Sequence, residues 1–234
     1  GVHWLDNANN KKSLCLRKRL KPIQRMHMND LQQILTISSA RHTHLCPRQV
    51  LGARIGLAGA DVLGLELPRN DKRLLVILET DGCFADGIEA ATGCSIGHRT
   101  LRIEDYGKIA ATFIDVKTEQ TLRITPKLDS RQRALIHAPT ESRHYFAQLQ
   151  AYQTMPANEL LDIQSVRLRS SIQQIVSRAG VRANCDQCGE EIINEREVIS
   201  NGQILCRACA SGGYYHPQEE LQLPLCIRHQ SFSY

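Results

Sequence analysis

Two groups of residues in this 234-residue chain have the types and spacing that chemistry needs. The first begins with His42, His44 and Cys46, at alternate positions of a short segment closed by Pro47. In an extended loop all three side chains point to one side, the arrangement a metal ion or a substrate requires. Cys83 follows Asp81-Gly82 at an expected strand-to-helix junction. There the helix amide dipoles favour a thiolate, which makes Cys83 either a ligand or a nucleophile. Cys94, between Gly93 and Ser95, lies in a second turn that this reading returns to the same place. Spacing alone leaves two accounts open, a shared functional cleft or scattered buried thiols and loop histidines.

The second group is Cys185-x-x-Cys188 and, after seventeen residues, Cys206-x-x-Cys209. That spacing fits a four-cysteine structural zinc site, each pair supplying two corners of a tetrahedron from one tight turn. Gly189 lets the first turn fold back so that amides point at the sulfurs. Asn201-Gly202 predicts a hairpin turn between Val198-Ile199 and Ile204-Leu205. A module of about 25 residues cannot build an adequate core, so the metal supplies most of its folding energy. Two separate redox Cys-x-x-Cys pairs are the competing account, but no thioredoxin-type pattern surrounds them. Cys226-x-x-His229 could be half of another site, yet it lacks a partner pair and reads as tail.

The elements that must position these residues follow from pattern. Asp30 is expected to cap a helix with Leu31, Ile34, Leu35 and Ser38 on one face, ending near Arg41. Pro47 suits the first turn of a second helix. This one is rich in small residues (Gly52, Ala53, Gly56, Ala58, Gly59, Ala60), which lets another backbone come close. Leu74–Glu79 reads as a buried strand and 83–91 as a short helix. Lys108–Val116 and Gln120–Ile124 read as two strands around a polar turn at 117–119. Helices are expected at Asp129–Ile136 and Ser142–Gln150, a short one from Pro156, and a strand at Ile163–Leu168. The fold class is α+β, a mixed or antiparallel central sheet with flanking helices plus a small C-terminal zinc-finger module. The expected division is a basic leader (1–27), the α+β domain (28–170), a linker (171–184), the zinc module (185–212) and a tail (213–234).

Composition narrows the function classes. At 42% hydrophobic and 23% charged residues the chain is an ordinary globular one. No apolar run approaches the ~20 residues that span a bilayer, and no apolar signal core follows the basic N-terminus. A cytoplasmic protein that does not enter a membrane is therefore expected. The net charge is +5, but residues 1–27 hold seven Lys or Arg against Asp6 alone. The remainder is close to neutral, and four Phe, six Tyr and one Trp offer few stacking surfaces. Nucleic acid is thus not an expected partner. The leader reads as disordered or as a non-native extension, with Met28 as the natural start. The glycines at 52, 56 and 59 lie inside a helix and are misplaced for a dinucleotide fingerprint, and there is neither a P-loop nor a Gly-x-Ser-x-Gly elbow.

Three ordered blocks carry a resemblance. His42-x-His44-x-Cys46-Pro47 with Val50-Leu51-Gly52-x-Arg54 is the first. Glu79-Thr80-Asp81-Gly82-Cys83, with Asp86, Ile88 and Thr92-Gly93-Cys94-x-x-Gly97, is the second. Leu101 to Asp105-Tyr106-Gly107-Lys108-x-Ala110 is the third. Together with the zinc module they resemble the FmdE family, named after one component of formylmethanofuran dehydrogenase, over roughly residues 30–210. The resemblance implies an α+β domain that forms a homodimer, and an accessory role beside a molybdenum- or tungsten-dependent redox enzyme. It does not make this chain the dehydrogenase, since that chemistry resides in the enzyme's other components. By resemblance His42, His44, Cys46 and Cys83 form the site, where they could hold a second divalent metal ion besides the structural zinc. Asp81, Cys94, Tyr106 and Lys108 are assigned to its surroundings. In a stand-alone enzyme Cys83 would be catalytic and Lys108 or Tyr106 would steady the substrate. Arg48 departs from the glycine often found after Cys-Pro in such families, and a bulky cation there changes which ligand fits.

Overall fold

The computed structural model describes residues 28–40, 42 and 44–216. The leader, and Cys226 and His229 with it, lie outside the described residues. The chain divides between Ile172 and Gln173 into two compact units.

Helix α1 (Met28–Ser39) starts two residues before Asp30, which therefore sits in the first turn and does not cap it. Its carboxylate still meets the positive end of the helix dipole. Leu31, Leu35 and Ser38 are buried, as the helical spacing requires. Helix α2 (Pro47–Leu63) has Pro at its first position and is buried nearly all round, so it is the central helix of the unit. Strand β1 (Leu74–Leu78) leads to α3 (Cys83–Thr92), and α3 crosses back to β2 (Leu101–Ile103), which pairs parallel to β1. Strands β3 (Ala111–Asp115) and β4 (Thr121–Pro126) form the antiparallel hairpin. Then come α4 (Ser130–His137), α5 (His144–Thr154), α6 (Ala157–Leu160) and β5 (Leu161–Ser165). The sheet order is β2-β1-β3-β4-β5, with only the β1–β2 pair parallel, a mixed sheet in an α+β fold.

Alternation sorts the sheet. Val76, Phe113 and Leu122 are in register, and with Leu74, Leu78, Ala111 and Ile124 they join the helices in one core. Strand β3 is shorter than Lys108–Val116, because the backbone N–H groups of Tyr106 and Lys108 both turn onto the Glu79 carbonyl. Strand β5 starts earlier than Ile163 because the buried Leu160 and Leu161 lead directly from α6 into pairing with β4. The buried Arg54 of α2 donates to the carbonyls of Tyr152 (2.7 Å) and Met155 (2.6 Å), capping the end of α5.

The second unit holds most of α7 (Ile172–Val176) and two hairpins. These are β6–β7 (Arg182–Asn184 with Glu191–Ile193) and β8–β9 (Val198–Ser200 with Gln203–Leu205), followed by α8 (Arg207–Ser211). Asn201 and Gly202 both have positive φ in the β8–β9 turn, as the sequence signal requires. Cys185, Ile192 and Leu205 form its small core.

Candidate thiol cleft and four-cysteine centre

The cleft is set by how closely α2 and α3 approach. A Cβ on Gly52 would lie 2.3 Å from the Phe84 carbonyl oxygen, and one on Gly87 would lie 2.2 Å from that of Gln49. Further along, Gly56 faces Ala91 in the same sense, so the helices run parallel, backbone against backbone. Their N-termini therefore lie side by side. Cys46 precedes the first residue of α2, and Cys83 is the first residue of α3, entered through Gly82 at φ 69°. The Gln49 side chain locks the loop: its oxygen accepts from the Cys46 N–H (2.8 Å) and its amide donates to the Ser38 carbonyl (3.1 Å). This is the reciprocal half of a capping box.

Cys46, 8% exposed, lies beside the half-buried Cys83. Burial pushes the Cys83 thiol up, the neighbouring Cys46 adds to that, and the Arg48 charge pulls it partly back. Tyr145 leans in from α5, its hydroxyl donating to the Leu45 carbonyl at 3.4 Å. Its phenol is pushed up by burial and then by the two cysteines. The His42 ring meets the Asp86 carboxylate at 2.5 Å, and Asp86 lies three residues after Cys83 on the same helix face. His44 is exposed on the loop. Asp81, Tyr106 and Lys108 are exposed near the C-terminal end of β1, the end from which Cys83 follows. Arg123, and to a lesser degree Lys108, hold the Glu79 carboxyl below its ordinary value.

Cys94 does not return to this place. It is buried with its sulfur 3.6 Å from the Leu74 carbonyl oxygen, at the opposite end of β1. The parallel crossover carries the chain the length of α3 away from Cys83 before Cys94 is reached. Sequence reasoning gives Asp86, Gln49 and Tyr145 no role at the site. The i, i+3 step from Cys83 to Asp86 and the Gln three residues after Cys46 are usable signals for the first two. Tyr145, about a hundred positions from its partner, offers none.

Among the described residues, one set of three or more His, Cys, Asp or Glu side chains brings its ligand atoms within 4.8 Å of one another: Cys185, Cys188, Cys206 and Cys209. His42, His44, Cys46 and Cys83 do not close into such a set. The four sulfurs fit zinc. A tetrahedron of Zn–S bonds near 2.3 Å puts the sulfurs about 3.8 Å apart, and Cys188 and Cys206 are 3.9 Å apart. The Cys206 N–H points at the Cys185 sulfur (3.2 Å), and the Cys209 N–H at the Cys206 sulfur (3.4 Å). Backbone amides hold the Cys185 thiol down to about 6, whereas its sulfur neighbours push Cys209 up to about 12. Four thiols this close cannot all ionise without a cation among them. Asp186 ties the two knuckles, pairing with Ile204 through its N–H (2.8 Å) and its carboxylate (2.7 Å).

Known proteins resemble both parts. The prokaryotic dksA/traR C4-type zinc finger matches residues 178–215. A "probable S-adenosyl-L-methionine-binding protein" of Archaeoglobus fulgidus is 26% identical over 79% of this chain. The chain spans about half (54%) of that relative's length. The crystal structure of a tungsten formylmethanofuran dehydrogenase FmdE-like protein from Syntrophus aciditrophicus shares the fold. It covers 80% of this chain and 95% of its own, with a TM-score of 0.50 at 19% identity. The model of the FmdE family, described by the molybdenum formylmethanofuran dehydrogenase operon, matches residues 41–176. That span takes in the His42–Cys46 loop, the α2–α3 contact and the whole sheet, more than half of the chain, and on this ground the protein belongs to the FmdE family.

Proposed function

We propose that this protein is a metal-binding accessory partner of a molybdenum- or tungsten-type oxidoreductase, acting in the cytoplasm as a homodimer. The observation that carries the reading is the meeting of Cys46 and Cys83 at two parallel helix N-termini, in a member of a family described by a dehydrogenase operon. Two adjacent sulfurs are soft donors for a divalent ion. His42, held by Asp86, has the outer carboxylate that metal-bound histidines commonly use. His44 would join from the exposed loop. The C-terminal unit, with structural zinc on Cys185, Cys188, Cys206 and Cys209, would serve as the docking module. The boundaries proposed are an FmdE domain over 28–170 and a zinc module over 185–212.

Metal content per chain tests this, measured on the wild type and on a Cys185→Ser/Cys188→Ser variant. The expected result is two ions in the wild type and one in the variant. A single ion in the wild type and none in the variant would remove the cleft metal. A second reading would then stand, favoured by the half-buried, reachable thiol at the start of α3: a thiol-dependent enzyme with Cys83 as nucleophile and Lys108 or Tyr106 against the substrate.

A further inference from the structure

We infer that Cys46 and Cys83 are a reversible dithiol couple, which closes to a disulfide by exchange with a low-molecular-weight disulfide and thereby switches the cleft. The inference deepens the proposed site and rests on reading this loop and helix as functional. The geometry comes first. At Gln49, three residues past Cys46, the α2 backbone is already in contact with Gly87, four residues past Cys83. The glycine contact packs the two helix starts side by side, which makes the Cys46 and Cys83 sulfurs neighbours. A disulfide needs Cα atoms about 4.4–6.8 Å apart, which two helix starts meeting without intervening side chains can supply.

Exposure assigns the roles. Cys83 is half-buried and reachable, whereas Cys46 is only 8% exposed. The Cys83 thiolate attacks one sulfur of the small disulfide, forming a mixed disulfide and releasing one thiolate. The Cys46 thiolate then attacks the Cys83 sulfur, forming the internal bond and releasing the second thiolate. Two protein thiols lose two electrons and two protons, and the small disulfide becomes two thiols. Closure would remove two soft donors from the cleft at once. Cys94, buried at the far end of β1, is an internal control outside the couple.

The test uses the full zinc-loaded chain, prepared without added metal and incubated anaerobically with oxidised glutathione. It is then acid-quenched, alkylated, digested and analysed by mass spectrometry. The expected result is a peptide pair joined through Cys46 and Cys83 that dithiothreitol separates, with Cys94 still reduced. Cys46→Ser should trap glutathione on Cys83 at least ~10-fold above Cys94, and Cys83→Ser should leave Cys46 unmodified. If Cys46 and Cys83 stay reduced while other cysteines oxidise, or if glutathione on wild-type Cys83 never resolves, the inference is overturned. Repeating the oxidation with added cobalt(II) separates it from the proposed function. Protection by the ion supports both. A link that forms equally fast with and without the ion leaves the couple standing and counts against the cleft metal.

Discussion

Asp115 is 1% exposed, and the Arg73 guanidinium holds its carboxylate at 3.0 and 2.8 Å. That contact, more than the amide of Lys117, keeps the carboxyl well below the usual range. A carboxylate depressed by folding contributes stability that is fully present above its unfolded pKa of about 3.9 and is lost as pH falls toward the folded value. Glu79, gripped by Arg123 at 2.6 and 2.7 Å, acts in the same direction. Acid destabilisation should therefore steepen below about pH 4. Asp115→Asn should cost about 2 kcal/mol at pH 7 in urea titrations, because the half-exposed Arg73 loses its partner, and less at pH 3. Residues like these show what the sequence could and could not reveal. The four module cysteines were legible because each pair sits on one turn, so spacing alone fixes their geometry. His42 and Cys83 were legible as candidates, but their contacts with Asp86 and Cys46 exist only after two helices pack. The misplacement of Cys94 has the same origin, since no local signal tells at which end of β1 a turn falls.

The α2–α3 pair is the element on which the cleft depends. Gly52→Ala would press a methyl group into the Phe84 carbonyl, a backbone atom that cannot swing aside. We expect a loss of about 3 kcal/mol in the unfolding free energy, together with a fall in Cys46–Cys83 cross-linking. Gly56→Ala meets the Ala91 methyl at 2.8 Å and should cost less. Denaturation curves and cross-link yields of the two variants, taken together, separate plain destabilisation from widening of the cleft. The small-residue run foretold a close helix contact here, because only a missing Cβ explains so many glycines in a helix interior. Strand β2 and the strands β6 and β7 were not legible. Each is three residues long, too short for a period of two to stand out, and β2 forms only because the crossover returns it to β1. Arg54 likewise stands in the sequence only as one residue of the first resembling block, although it caps a helix about a hundred positions away.

At the scale of the molecule there are two units with separate cores, one built by a sheet and its helices, the other by Ile192, Leu205 and four cysteine sulfurs. Chelation of zinc, or Cys188→Ser, should unfold the second unit alone. Limited proteolysis would then remove residues beyond about 173 and leave the first unit's thermal transition within a few degrees of the untreated value. A single cooperative collapse of both units would contradict this. No described helix is long and apolar enough to cross a membrane. In the first unit, the spacing of Cys46 and Cys83 is set by bare backbone at Gly52 and Gly87, while the exposed Arg48 at the cleft mouth takes no part in setting it. Gauge and aperture are thus separate inheritances. Substitution at position 48 can retune what the cleft admits without moving its sulfurs, and relatives with different ligands are expected to differ first at the aperture.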